Sequence, residues 1–132
     1  MKISTRGRYA LRIMIDLATN DDGKFISLKD IAERQGISNK YLEQIVAKLN
    51  KAGYLKVARG NNGGYKLAKK PEEYSVGDIL RASEGDLAPI ICLTEDGGCD
   101  HKSDCKTLFF WEGLNDVIQN YVDSVTLSDF LK

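Results

Sequence analysis

The 132-residue sequence predicts a mainly α-helical fold with one small β-hairpin, on three observations. Apolar residues recur at helical spacing in three long stretches, 6–18, 39–52 and 105–122. Serines and glycines stand where helix starts and stops are needed between these stretches. Two short β-prone runs flank the cluster Arg59-Gly60-Asn61-Asn62-Gly63-Gly64, a hairpin signal.

The first stretch, Arg6 to Ala18, carries Tyr9, Leu11, Ile13, Met14, Leu17 and Ala18 close to a 3.6-residue period, and Asn20, Asp21, Asp22 and Gly23 end it. Phe25 and Ile26 are expected to form a short strand. Ser27 reads as an N-cap with Asp30 three residues on, a capping-box-like pair. The helix LKDIAERQ then buries Leu28, Ile31 and Ala32, and Gly36 stops it. Ser38 (or Asn39) caps the next helix, NKYLEQIVAKLNKAG, in which Leu42, Ile45, Val46 and Leu49 recur at i, i+3, i+4 and i+7. A short helix, a glycine-containing turn and a longer second helix are the grammar of a helix–turn–helix. The face opposite the apolar stripe carries Lys40, Tyr41, Glu43, Gln44, Lys48 and Lys51, which suits a DNA groove: cations for phosphates, Glu and Gln for base edges.

Residues 54–57 and 65–67 read as paired strands around the glycine-rich turn, forming a wing. Arg59 at its tip is placed to enter a minor groove. Pro71 stops this unit, and Ser75 caps a helix from Val76 to Ala82 that buries Ile79 and Leu80. Gly85 to Asp104 has no periodicity. From Cys105 to Val122 a long helix returns, with Phe110, Leu114, Val117, Ile118 and Tyr121 on one side and Leu108, Trp111 and Val122 widening the stripe. A second copy of the chain is the natural cover for so broad a surface; packing against the N-terminal helix is the alternative. Thr126 caps a last short helix, LSDFLK. The expected architecture is thus a winged helix–turn–helix plus a long C-terminal dimerisation helix. It divides into a DNA-binding domain at 1–84, a cysteine-containing sensor loop at 85–105, and a dimerisation helix with its tail at 106–132.

Charge supports this division. Residues 1–70 hold 15 Lys and Arg against 6 Asp and Glu, a net of +9, whereas residues 71–132 hold 4 against 13, a net of −9. Clustered cations release counterions from a polyanion, so the first half fits double-stranded DNA and the second would be repelled by it. No apolar run is long enough to span a bilayer. Arg8, Arg12 and Asp16 interrupt the apolar N-terminal stretch, so it is read as an amphipathic helix of a cytoplasmic protein, with no membrane partner.

The three cysteines, Cys92, Cys99 and Cys105, fall within 14 residues. An odd count without a secretion signal argues against a disulfide framework and leaves metal binding or thiol chemistry. Three thiolates on an irregular loop can converge on one centre, and suit an iron–sulfur cluster or zinc. The wide C-x6-C-x5-C spacing lacks the tight knuckle usual for structural zinc. His101, the only histidine, Asp100 and Asp104 are possible further ligands.

The start KISTRGRYAL, the segment DIAERQGIS-x-x-YLEQI, the wing RGNNGGYKL, the helix VGDIL, the cysteine loop and the ending VTLSDFL together resemble the Rrf-two family of winged-helix transcription regulators, and its iron–sulfur cluster-sensing, IscR- and NsrR-like branch. The resemblance spans essentially the whole chain. It implies a homodimer on a partly palindromic operator, with recognition helices in major grooves and wings in minor grooves. It implies DNA contacts at Ser38, Lys40, Tyr41, Glu43, Gln44, Arg59 and Gly60. Glu43 can accept from a cytosine amino group but repels phosphate, so it can discriminate between operators. The resemblance implies cluster ligation by Cys92, Cys99 and Cys105, with 2Fe–2S favoured and 4Fe–4S possible, and sets the chain apart from CymR-like members. The chain departs from the family at the fourth ligand. Leu108 stands where IscR-like members have a histidine, and Arg8 where NsrR-like members have a carboxylate, so His101, Asp100, Asp104, a solvent or a small thiol would substitute, or the cluster is labile.

The expected function is a dimeric regulator whose operator affinity is controlled by the cluster. The same DNA-binding fold controlled by thiol oxidation or zinc is the alternative. A small iron–sulfur electron carrier is a distant one, because it would leave the basic half unexplained. No nucleophile–base constellation or nucleotide fingerprint points to an enzyme or to a small-molecule substrate.

Overall fold

The computed structural model describes residues 3–94 and 105–132. Among these, five helices and a two-stranded antiparallel sheet run in the order α1 (Thr5–Thr19), α2 (Leu28–Gln35), α3 (Asn39–Lys51), β1 (Leu55–Ala58), β2 (Gly64–Leu67), α4 (Val76–Glu84) and α5 (Leu108–Ser124).

The helix ends follow from local chemistry. The Ser27 hydroxyl accepts from the Asp30 amide at 3.1 Å, and the Ser38 hydroxyl from the Tyr41 amide at 3.3 Å. The full reciprocal capping box forms at α4: Ser75 Oγ accepts from the Asp78 amide at 2.9 Å, and the Asp78 carboxylate accepts from the Ser75 amide at 3.3 Å. Gly36, with φ of 66°, takes the left-handed conformation that closes α2 and frees the chain to turn into α3.

In the hairpin Leu55 faces Leu67 and Val57 faces Tyr65. The strand expected at Phe25–Ile26 is a single bridge, in which Ile26 and Tyr65 exchange both backbone hydrogen bonds at 2.8 Å. That bridge fastens the base of the wing to the α1–α2 connection. It needs glycine at position 64, because any Cβ there would collide with the Ile26 backbone.

One core joins α1 (Ala10, Ile13, Met14, Leu17), α2 (Ile31), α3 (Leu42, Ile45, Val46, Leu49) and α4 (Ile79). Each such Leu, Ile, Val or Met side chain stabilises the fold by about 1.5–3 kcal/mol on burial. Leu28 and Ala32, expected in the core, are half-buried at its rim. Five buried residues outside the α-helices, Ile26, Ile37, Leu55, Tyr74 and Leu127, complete the core. Leu127, in a C-terminal 3-10 turn (Leu127–Leu131), is fully buried, and its amide donates to the Tyr74 carbonyl at 2.9 Å. Tyr74 is buried too. Its hydroxyl donates to the Tyr54 carbonyl at 2.7 Å and accepts from the Ala68 and Lys69 amides at 3.0 and 2.9 Å, so no polar atom is stranded.

The buried charge is also paired. Asp16 accepts from Arg34 at 2.8 and 3.0 Å and from the Gln35 amide group at 2.9 Å, tying α1 to the end of α2. Burial alone would raise the Asp16 carboxyl, but the hydrogen bonds from Arg34 and Gln35 outweigh it and hold the group below its ordinary range.

Several boundaries differ from expectation. The long C-terminal helix starts at Leu108 rather than Cys105, and α4 continues to Glu84. The final segment is a 3-10 turn, and two further 3-10 turns occupy Pro71–Glu73 and Ile91–Leu93. No helix among the described residues is long and apolar enough to cross a membrane.

Candidate nucleic-acid interface and cysteine site

The helix–turn–helix presents α3 outward. Ser38, Lys40, Glu43, Gln44, Lys48 and Lys51 are all exposed, while the opposite stripe is buried. Four residues of every seven or so are thus free to face a groove, as the sequence pattern requires. Ser38 both caps α3 and stands at its exposed start, leaving its hydroxyl proton available to a phosphate. Tyr41 is the exception among the expected contacts. It is half-buried, and its ring meets the Tyr9 ring edge-on at 5.7 Å between centroids.

The wing emerges directly from the end of α3. Arg59, Gly60, Asn61 and Asn62 are exposed at its tip, and Gly60 has φ of 100°. The tip adds two asparagines that the charge argument overlooked; their signal was their place in the turn cluster, not their charge. At the base, the Lys66 ammonium lies 4.7 Å from the centre of the Phe25 ring, which helps hold β2 against the α1–α2 connection.

The cysteine site is placed in part. Cys92 is half-buried in the 3-10 turn Ile91–Leu93, which packs against α5. Cys105 lies three residues before α5, with its sulfur 3.4 Å from the Thr107 hydroxyl. Hydrogen bonds from the Thr107 hydroxyl and backbone lower the Cys105 thiol below its ordinary range, which favours the thiolate. Cys99 and His101, with Asp100 and Asp104, lie outside the described residues. Leu108 is half-buried at the first position of α5 and offers carbon alone, and Arg8 is exposed on α1.

Among the described α-helices, α5, which Cys92 and Cys105 adjoin, is the least covered. α5 packs on α4, where Arg81 binds Asp123 at 2.7 and 3.1 Å and Gln119 at 2.6 Å. Gly77 permits this approach, since a Cβ there would overlap the Asp123 carboxylate. None of its described residues is fully buried, and Phe109, Phe110, Val117 and Tyr121 are all more than half exposed. Phe109, beside the stripe read from the sequence, is exposed as well; it was signalled only by the adjacent aromatics Phe110 and Trp111.

Comparison with known proteins agrees with this architecture. The family model described as Rrf2, iron-dependent transcriptional regulator, matches residues 3–132. The Rrf2 protein of Nitratidesulfovibrio vulgaris is 39% identical over 132 residues, covering 100% of this chain and 88% of that protein. The solved structure of IscR from T. potens superimposes with a TM-score of 0.77 at 41% identity, covering 99% of this chain and 86% of that one. The structure of CymR, the global cysteine regulator of B. subtilis, superimposes with a TM-score of 0.80 at 39% identity, covering 98% of this chain and 95% of that one. These relatives are regulators rather than enzymes. With its exposed recognition helix, its wing and its match along the whole described length, the chain belongs to the Rrf2 family of DNA-binding transcription regulators.

Proposed function

We propose that the chain is a cytoplasmic homodimer that grips a partly palindromic operator through α3 and the wing, and that an iron–sulfur cluster at Cys92, Cys99 and Cys105 sets the strength of that grip. The observation that carries this reading is the site of the two described cysteines: both adjoin α5, the helix whose apolar face has no cover among the described residues. A change at the cysteines therefore acts where two copies would meet. The division into a DNA-binding domain at 1–84, a sensor loop at 85–105 and a dimerisation segment at 106–132 follows this logic.

The donor set fits such a group. Cys92 and Cys105 are soft sulfur donors, and the hydrogen bonds from Thr107 that lower the Cys105 thiol act in the direction of the thiolate that ligation requires. Cys99 is the third expected donor and His101 the candidate fourth. When bound, the cluster would supply a redox- and iron-sensitive staple between the turn at Ile91–Leu93 and the start of α5. The chain's own part is to read DNA. Lys40, Lys48 and Lys51 neutralise phosphates, Gln44 and Glu43 meet base edges, and Arg59 and Gly60 enter the minor groove. Glu43, exposed on the reading face, would reject operators that put a phosphate or guanine beside it.

A second reading uses the same DNA-binding body with the cysteines as a thiol switch. The lowered Cys105 thiol favours it, and so does likeness to CymR, which matches that to IscR. Operator affinity separates the two. Under the cluster reading, an iron chelator changes affinity by about 5–150-fold and a thiol oxidant acts only after cluster loss. If the chelator has no effect while oxidant alone shifts affinity, the thiol reading holds; if neither acts, sensing at this loop is excluded.

A further inference from the structure

We propose that Glu84 and Tyr9 are positioning residues for the recognition helix, with α1 as the rigid member between them. Glu84 is the last residue of α4, and the irregular segment that leads to the cysteines begins at the next residue. Its carboxylate reaches across to the start of α1. There it accepts from the Ser4 amide at 2.7 Å, from the Ser4 hydroxyl, and from the Gly7 amide at 3.0 Å. The first-turn amides of a helix have no partner within it, and here a carboxylate from 77 and 80 residues away supplies one. Glycine at position 7 makes room, since a Cβ there would overlap the Glu84 carboxyl group.

Two residues further along α1, Tyr9 packs edge-on against Tyr41 in the first turn of α3. One turn later Arg12 lies 5.1 Å from the centre of the Tyr9 ring and donates to the Gln35 side chain at 3.1 Å and to the Gln35 carbonyl at 2.6 Å. α1 is therefore fastened at its start by the end of α4, and it braces both helices of the helix–turn–helix. Tyr41 lies half-buried in that brace, so its ring sets the tilt of α3 more than it reads a base. A displacement of Glu84 would pass to Tyr41 through contacts that contain no loop.

This inference rests on the DNA-binding reading but not on the cluster. Binding is measured by fluorescence anisotropy on a duplex that the wild-type protein selects from a randomised library, and on an unrelated duplex. Glu84→Ala and Tyr9→Leu should each weaken the selected duplex by about 5–30-fold, with the unrelated duplex changed less than about twofold. The salt slope should stay constant, because no phosphate contact is lost. Glu84→Gln keeps an acceptor oxygen and should recover part of the loss. The double variant should lose less than the product of the single losses. Equal losses on both duplexes, or fully multiplicative losses, would overturn the proposal. Hydrogen exchange in the absence of DNA provides an independent readout. Glu84→Ala should speed exchange at the first turn of α1 and at Leu42 and Glu43 in α3; acceleration confined to α1 sinks the proposal even if no duplex is ever selected. A wild-type protein that selects no duplex would instead sink the DNA-binding reading.

Discussion

Helices α3 and α5 carry similar apolar periodicities and end in different states. In α3, Leu42, Ile45, Val46 and Leu49 are each no more than 1% exposed, and the polar face is left to solvent. In α5, the more apolar of the two, no described residue is fully buried, and Phe109 is 79% and Tyr121 68% exposed. Among the described residues the same pattern is covered in one case and left uncovered in the other. An apolar stripe shows that a surface must be covered but not by what; the exposed area of α5 calls for a partner surface.

The largest effect should come from spoiling the uncovered face. Phe110→Asp combined with Val117→Asp is expected to convert a dimer to a monomer by sedimentation, and to weaken operator binding on the order of 100-fold or more through lost bivalency. Because both side chains are exposed, the thermal unfolding of each chain's own core should shift by no more than about 0.5 kcal/mol once oligomer concentration is accounted for. A wild-type monomer would end the comparison.

Next comes the covered side. Asp16→Asn removes the carboxylate that three donors share while Arg34, partly exposed, can rehydrate; a loss of about 2–3 kcal/mol in denaturant unfolding is expected. The pH dependence has a definite sign. The Asp16 carboxyl is held below its ordinary range in the folded chain, so its contribution is fully present above that range and is lost as pH falls through the lowered folded value. The stability gap between wild type and Asp16→Asn should stay level near neutrality and shrink only on acidification below about pH 4. A gap that widens on acidification would contradict the pairing.

Gly64→Ala should cost about 1–3 kcal/mol, because the Ile26 backbone has to give way. Exchange of the Ile26 and Tyr65 amides should then accelerate ahead of the rest of the hairpin. The smallest effect is at the wing tip. Arg59→Ala should leave stability unchanged and reduce the slope of log affinity against log salt by up to about 0.9, the signature of one cation withdrawn from the DNA, here from its minor groove. An unchanged slope would remove Arg59 from the interface.

Most of the reading helix and its supports are legible in the sequence, because their signals are local. Ser27, Ser38, Ser75 and Gly36 act within a turn of their own position, and the apolar stripes of α1 to α4 place most of the core. What was missed lies at long sequence separation. Nothing in the spacing of Glu84 points to Ser4 and Gly7, nor does the spacing of Leu127, in the short C-terminal segment, signal a place in the main core. The hydroxyl of Tyr74 likewise gathers Tyr54, Ala68 and Lys69 from around the hairpin base. Such contacts are fixed by tertiary packing and carry no periodicity. The cysteine loop is the opposite case. Its residue types point to metal or thiol chemistry with no help from periodicity, and the described structure places Cys92 and Cys105 beside α5, while Cys99 and His101 lie outside it.

Control of DNA binding by an iron–sulfur cluster at that loop is tested most directly by the absorption spectrum of protein purified without oxygen. Iron and sulfide are assayed on the same sample. The expected result is visible bands with stoichiometric iron and sulfide, lost in Cys92→Ala, their shape separating 2Fe–2S from 4Fe–4S. A featureless spectrum after reconstitution with iron and sulfide would contradict the cluster and leave the cysteines as a thiol or zinc switch on the same DNA-binding fold.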